Sequence, residues 1–177
     1  SVFDYDTLHS ASRESWDRHM NSNLRAPFVL TQAMAAQGLA ASPDANGEPQ
    51  ATGLIVNMID QRVRKLTPEF MTYTLAKAGL WTLTQTAAQA LAPAIRVNAV
   101  CPGFIGTRWF KDAMDEAEFD AIVARVKKST PLNAASGPDD VADAALFFVT
   151  DAARHVTGEM MMVDAGTHLG FSTLAQR

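Results

Sequence analysis

The chain has 177 residues, 47% of them hydrophobic and 19% charged, enough to bury one sizeable core and too few to argue for two. Its formal charge of −4 scatters 15 Lys and Arg among 19 acids, which excludes the electrostatic footprint of a nucleic-acid or anionic-membrane binder. A single cysteine, Cys101, excludes an intramolecular disulfide and fits a reducing cytoplasm; no signal-peptide pattern opens the chain, and no apolar run reaches the roughly 20 residues of a membrane span.

From Arg13 to Leu39 the residues Trp16, Met20, Leu24, Phe28, Thr31 and Ala35 recur three or four apart. That spacing predicts an amphipathic helix with Ser12 at its cap and a bend at Pro27. Residues 40–52 (AASPDANGEPQAT) are turn formers and read as an exposed connection. Gly53 to Asp60 (GLIVNMID) is a short, nearly continuous apolar run, the pattern of a strand covered on both faces. A helix is expected over Thr72–Ala92, with Leu80, Leu83, Ala87 and Leu91 on one side and a stop at Pro93. Ile95–Val100 (IRVNAV) is a second buried strand closed by Cys101-Pro102-Gly103.

Trp109 to Lys128 reads as a helix, acidic at its start and basic at its end, matching the helix dipole. Pro138 to Thr150 is a further helix with a proline-led acidic start, and Glu159 to Asp164 (EMMMVD) is a third strand before a loose tail. Met160 to Met162 reads as strand core rather than a sulfur site. The order helix, strand, helix, strand, two helices, strand argues for an α/β fold, a Rossmann-like doubly wound parallel sheet in three α/β/α layers. Its chemistry should sit beyond the carboxyl ends of the strands. The chain begins at Ser1 without Met and its ten glycines form no phosphate loop. The expectation is one domain over residues 1–177, amino-terminally incomplete, with about 80 to 90 residues upstream in a typical single domain.

The strongest chemical constellation is Tyr73-Thr74-Leu75-Ala76-Lys77, thirteen residues after Asp60 at a strand end. Tyr and Lys at i and i+4 share a helix face, and an ammonium one turn away is expected to lower the phenol's pKa from its ordinary value near 10. Taken alone, the pair reads equally as two surface residues. The four histidines, His9, His19, His155 and His168, have no ligand spacing, so no metal is implied. Cys101 has no His or second Cys paired with it in sequence, so it does not read as a catalytic thiol.

The run IVNMID, then YTLAK, then LAPAIRVNAVCPGFIGT, over Ile55 to Thr107, resembles the signature of the short-chain dehydrogenase/reductase family. WDRHMNSNLRAPFVLTQ (Trp16–Gln32) resembles its preceding helix, and VTGEMMMVDAG (Val156–Gly166) its closing motif, with Ala165 where Gly is usual. The resemblance covers nearly the whole chain. It implies that Tyr73 donates a proton, that Lys77 tunes Tyr73 and holds the nicotinamide ribose, and that Asn23 binds a water in a proton relay. It also implies that Pro102, Gly103, Phe104 and Ile105 approach the nicotinamide while Thr107 meets the cofactor phosphates. Read without the family, Asn23 is a residue that bends its helix beside Pro27, and Pro102-Gly103 is a strand-ending turn.

Asp60 stands where most of the family has Ser, and here the chain resembles the pteridine reductases; the plain alternative is that Asp60 caps the turn after its strand. The resemblance implies an NADPH-dependent reductase acting on a pterin, NADH not being excluded, with Asp60 orienting the pterin and relaying protons. It further implies a substrate lid formed by Trp109 and the helix to Lys128, and a homo-oligomer, dimer or tetramer, built on the two long helices. A generic carbonyl or alcohol oxidoreductase of the same family is the near alternative. A non-catalytic dimerising fragment is the alternative from another class.

Overall fold

The computed structural model describes residues 1–107 and 114–170. Its centre is a three-stranded parallel sheet. β3 (Gly53–Met58) pairs with β4 (Ile95–Pro102), and β4 pairs with β5 (Met160–Val163). The register runs from Gly53 opposite Ile95 to Met58 opposite Val100, and from Ala99 opposite Met160 to Pro102 opposite Val163. Side chains alternate across a strand, so the apolar residues of β4 divide between two layers. Val97, Ala99 and Cys101 face one cluster of helices, while Val100 joins Ala144, Phe148 and Ala153 on the other side.

The first layer is built by α3 (Met71–Leu91), whose Leu80, Ala87 and Ala88 are buried against β4. Two shorter helices lie on α3: α1 (Arg13–Met20) and α2 (Ala26–Ala35). Gly79 permits the close approach, since a Cβ there would meet Leu24 Cδ2 at 2.8 Å. The opposite layer is α5 (Pro138–Val149), reached through α4 (Glu116–Ser129). Proline at its first turn and Asp139 and Asp140 beside it start α5, as the sequence predicts. Of the predicted helix from Trp109 to Lys128, Trp109 lies outside the described residues, and the described part starts at Glu116 with Asp115 as its cap.

Three expectations need correction. The segment from Arg13 to Leu39 is not one helix bent at Pro27: a π-helical turn over Asn21–Arg25 separates α1 from α2, and α2 ends at Ala35. Pro27 has no N–H to donate to the carbonyl four residues back, and the ladder adjusts ahead of the ring by shifting register, with Ala26 N–H on Asn21 O. Nor is the buried face the predicted apolar stripe. Of that stripe Trp16 and Phe28 are exposed and Thr31 is buried, and the other buried residues are the polar His19 and Asn23. The connection over residues 40–52 carries a short antiparallel pair, β1 (Ser42–Pro43) with β2 (Pro49–Gln50). Asp44 turns it by accepting the N–H groups of Asn46 and Glu48.

Ser12 caps α1 as expected, in a reciprocal pair with Ser15. Met160 and Met162 pack on the α3 side and Met161 on the α5 side, so the methionine run is core. Asn98 locks the β4–β5 join by donating to Val156 O at 2.8 Å and accepting from Glu159 N–H at 3.1 Å. No helix among the described residues is long and apolar enough to cross a membrane.

Candidate active site

A parallel sheet presents its chemistry at the carboxyl ends of its strands, where the connecting loops begin. There Asp60, Gln61 and Arg62 after β3, Tyr73 on α3, residues 103–107 after β4 and the first four residues of the chain border a cavity of about 720 Å³. Tyr73, only 5% exposed, donates its phenolic hydrogen to Asp60 Oδ2 at 3.0 Å. Asp60 Oδ1 accepts the Arg62 N–H at 2.8 Å, so this carboxylate both caps the turn after its strand and meets the phenol.

Burial pushes the Asp60 carboxyl above its ordinary range, against the pull of its hydrogen bonds from Arg62 and Tyr73. The expected lowering of the Tyr73 pKa is reversed. Burial, followed by the charge of Asp60 and the hydrogen bond to it, drives the phenol well above its usual value. Lys77 does not touch the hydroxyl: its Nζ donates to Met58 O at 2.8 Å and lies 5.7 Å from the Tyr73 ring centre. Burial lowers the pKa of Lys77 itself. In this state Tyr73 is therefore a protonated donor, not a phenolate.

Asn23 takes a different place from the other site residues. Its amide accepts the Val2 N–H at 3.0 Å and donates to Val2 O at 2.8 Å, so the side chain is spent on tying down the start of the chain. It faces, with Lys77, a second cavity of about 510 Å³ along β3. Pro27, four residues on, gives no N–H to the Asn23 backbone carbonyl.

Gly103, Phe104, Ile105 and Thr107 line the main cavity, and Pro102 ends β4 just before them. Gly103 is required by contact: a Cβ there would lie 2.7 Å from Asp164 Cβ, and its N–H binds Val163 O at 2.9 Å. The Asp164 carboxylate in turn accepts the N–H groups of Gly166 and His168. Ala165, the departure from the usual glycine, adopts φ of +52°, a left-handed conformation costing a non-glycine residue about 1–2 kcal/mol. Cys101 is fully buried with its thiol pushed up to about 12, chiefly by burial, which leaves it inert.

Sequence reasoning missed the first residues of the chain and the loop between Asp60 and Tyr73. Phe3 stacks on Phe70 with ring centres 4.3 Å apart and meets Tyr73 edge-on at 4.8 Å. Arg62 lies over Phe70, 4.3 Å from its centre. The only signals for them were the aromatic residues Phe3 and Tyr5 at the start of the chain and Phe70 beside the motif, with no periodicity to interpret them.

A family model described as enoyl-(acyl carrier protein) reductase matches residues 3–168. The chain belongs to the short-chain dehydrogenase/reductase family. Among similar members is the (3R)-3-hydroxyacyl-CoA dehydrogenase of Rattus norvegicus, 38% identical over 157 residues, covering 88% of this chain and 55% of that enzyme. The alternative dihydrofolate reductase 1 FolM of Brucella suis, solved in complex with NADP, is 36% identical with a TM-score of 0.78 over 98% of this chain and 63% of that one. The promiscuous reductase LugOII, which catalyses a keto-reduction, is 30% identical with a TM-score of 0.78, over 96% of this chain and 62% of its own. The chain thus spans between half and two-thirds of the length of these short-chain dehydrogenase/reductase relatives.

The raised pKa of Asp60 has a stability consequence with a definite sign. A carboxyl whose folded pKa exceeds its unfolded value makes the native state the tighter proton binder, so its contribution is fully present below about pH 4 and is lost as pH rises through the folded pKa. Asp60→Asn, which removes the charge, is expected to melt higher than the wild type at pH 7. The gap should close as the pH is lowered towards 4, and thermal melts of both proteins across that range check it.

Proposed function

We propose that the protein is an NADPH-dependent short-chain reductase that reduces a pterin-type substrate with Tyr73 as the proton donor. The observation carrying this reading is the 3.0 Å hydrogen bond from Tyr73 to the buried carboxyl of Asp60 in the wall of an open cavity. An aspartate offers two acceptor atoms to a ring that presents amino and N–H donors, whereas a serine suits a bare ketone oxygen. The likeness to FolM of Brucella suis, described as an alternative dihydrofolate reductase and solved with NADP, supports the same substrate class.

The residues present fit a dinucleotide. Lys77 is 4% exposed and spends only one of its three N–H donors, on Met58 O. A buried ammonium left short of acceptors fits the paired hydroxyls of a ribose. Lys77 would hold those hydroxyls, the backbone of Pro102 to Ile105 would fix the carboxamide, and Thr107 would meet the phosphates. NADPH, when bound, supplies the hydride; NADH is the alternative donor.

Tyr73 gives its proton to the substrate nitrogen beside the carbon being reduced. The phenolate left behind is reprotonated through Asp60, its hydrogen-bond partner, which relays a proton from water in the cavity. The Asn23 carbonyl anchors a water on the far side of Lys77 for the return of protons. The single buried thiol fits a cytoplasmic setting.

A general carbonyl reductase is the second reading, favoured by the 38% identity to the rat hydroxyacyl-CoA dehydrogenase. Asp60→Ser separates the two. Pterin turnover is expected to fall at least about tenfold while simple ketones are reduced as well or better, and equal losses on both would make the residue structural.

Tyr73→Phe is expected to lower turnover by about a hundredfold or more with cofactor affinity retained. Steady-state rates alongside an NADPH titration check this, and the same titration on the wild type tests whether the protein is a reductase or a non-catalytic dimerising unit. The exposed Trp16, Phe28, Val29 and Leu30 on α1 and α2, with Leu75 on α3, fit a homo-oligomeric interface. Sedimentation at micromolar concentration should give a dimer or tetramer mass.

A further inference from the structure

We infer that Arg62 selects substrates carrying a carboxylate beyond the reacting ring. This rests on the cavity being the substrate site of the reductase proposed above. Arg62 belongs to the short turn Gln61–Val63, and its backbone N–H is bound to Asp60, so its position is geared to the carboxyl that meets Tyr73. Its guanidinium lies 4.3 Å from the centre of the Phe70 ring and 5.9 Å from that of Phe3, and its Nη1 donates to Thr67 Oγ1 at 2.8 Å. Phe70 adopts φ of +53°, a conformation rare for a bulky residue, to hold its ring there. The guanidinium plane is thereby fixed, with one of five N–H donors committed.

Arg62 feels the Asp60 carboxyl only from beyond ion-pair distance. No carboxylate among the described residues forms an ion pair with it, whereas Arg18, the other cation on the cavity wall, is paired with Asp4 at 3.0 Å. Each Asp60 oxygen accepts one hydrogen bond, from the Arg62 backbone and from Tyr73, and keeps a lone pair for a ligand. Beside it, Gln61 Oε1 is buried without a partner and its residue lines the same wall, so the cavity offers one unmet acceptor and one unmet cationic fork. With no carboxylate at ion-pair distance, the remaining N–H donors of Arg62 are left for a ligand's carboxylate. A rigid planar fork fits a carboxylate better than it fits a hydroxyl. The inferred substrate is a flat ring with its reacting bond at Tyr73 and an acidic tail reaching Arg62.

The test compares Arg62→Met, which keeps the stacking against Phe70 without the charge, and Arg62→Lys, which keeps the charge without the plane. Equilibrium titrations would use folate and biopterin, which share a ring while only folate carries carboxylates, and NADP⁺ alone. An aromatic ketone bearing a carboxylate, with its methyl ester as partner, forms a second pair that contains no pterin.

Arg62→Met is expected to weaken folate by about tenfold or more, leaving biopterin and NADP⁺ within about twofold, and Arg62→Lys to fall between. Equal weakening of folate and biopterin would mean that Arg62 only packs, and a loss confined to NADP⁺ would assign its charge to a cofactor phosphate; either overturns the inference. If the wild type binds neither pterin, the proposed function fails by itself. The ketone pair then decides: selective loss of the acid sustains the role of Arg62, and equal loss of acid and ester ends it.

Discussion

Two buried side chains one helical turn apart tie the start of α3 to the end of β3, and the cavity follows from that attachment. Lys77 reaches back to the carbonyl of Met58 and Tyr73 to the carboxyl of Asp60. Both are almost wholly buried, Lys77 4% and Tyr73 5% exposed. Buried polar groups without partners are costly, so the helix is fixed in both rotation and height against a strand that is itself fixed by its register to β4. The Pro102–Thr107 loop leaves that same β4, which is why it opens opposite Tyr73.

Beneath the site lies a second set of polar contacts that carries the opening residues of the chain. Asp4 donates its N–H to His19 Nε2, so that nitrogen is the bare one and Nδ1 bears the hydrogen that meets Thr72 Oγ1. The Thr72 hydroxyl then donates to Asp6, which also accepts the Thr72 N–H. Burial works against the charge on Asp6, but the hydrogen bonds from Thr72 outweigh it and hold the carboxyl below its ordinary value. An aspartate remote in sequence thus serves the N-terminus of α3 one residue before Tyr73, and Asn23 fastens Val2 alongside it. The wall holding Phe3 is consequently part of the scaffold of the helix that carries Tyr73.

The sheet and its flanking helices were legible because their signals are local. β4 reads as a continuous apolar run since both its faces are covered, and α5 announces itself by Pro138 and two aspartates. Asp60, Tyr73 and Lys77 were legible as a spaced motif at a strand end. The buried face of α1 and α2 was only partly so, because His19 and Asn23 are buried through partners far along the chain, and hydrophobic periodicity has no entry for a polar residue satisfied at long range. The same holds for Arg62, whose surroundings come from Phe3 and Phe70 on separate segments. The pKa of Tyr73 was misjudged for a related reason: spacing places an ammonium nearby, but burial and the carboxyl that takes the hydroxyl's hydrogen dominate.

The parallel ladder also orders events in time. Gly53 meets Ile95 about forty residues on, and Ala99 meets Met160 about sixty on, so each rung closes a long loop before it gains anything. α3 needs only contacts within its own length and can form while the sheet is open. Tyr73 and Lys77 are then already one turn apart, yet their partners at Met58 and Asp60 arrive only when β3 docks. The loop from Pro102 follows when β5 completes the sheet and seats Gly103 against Asp164. A chain whose β3 has not docked therefore carries the spaced Tyr73 and Lys77 without the cavity that frames them.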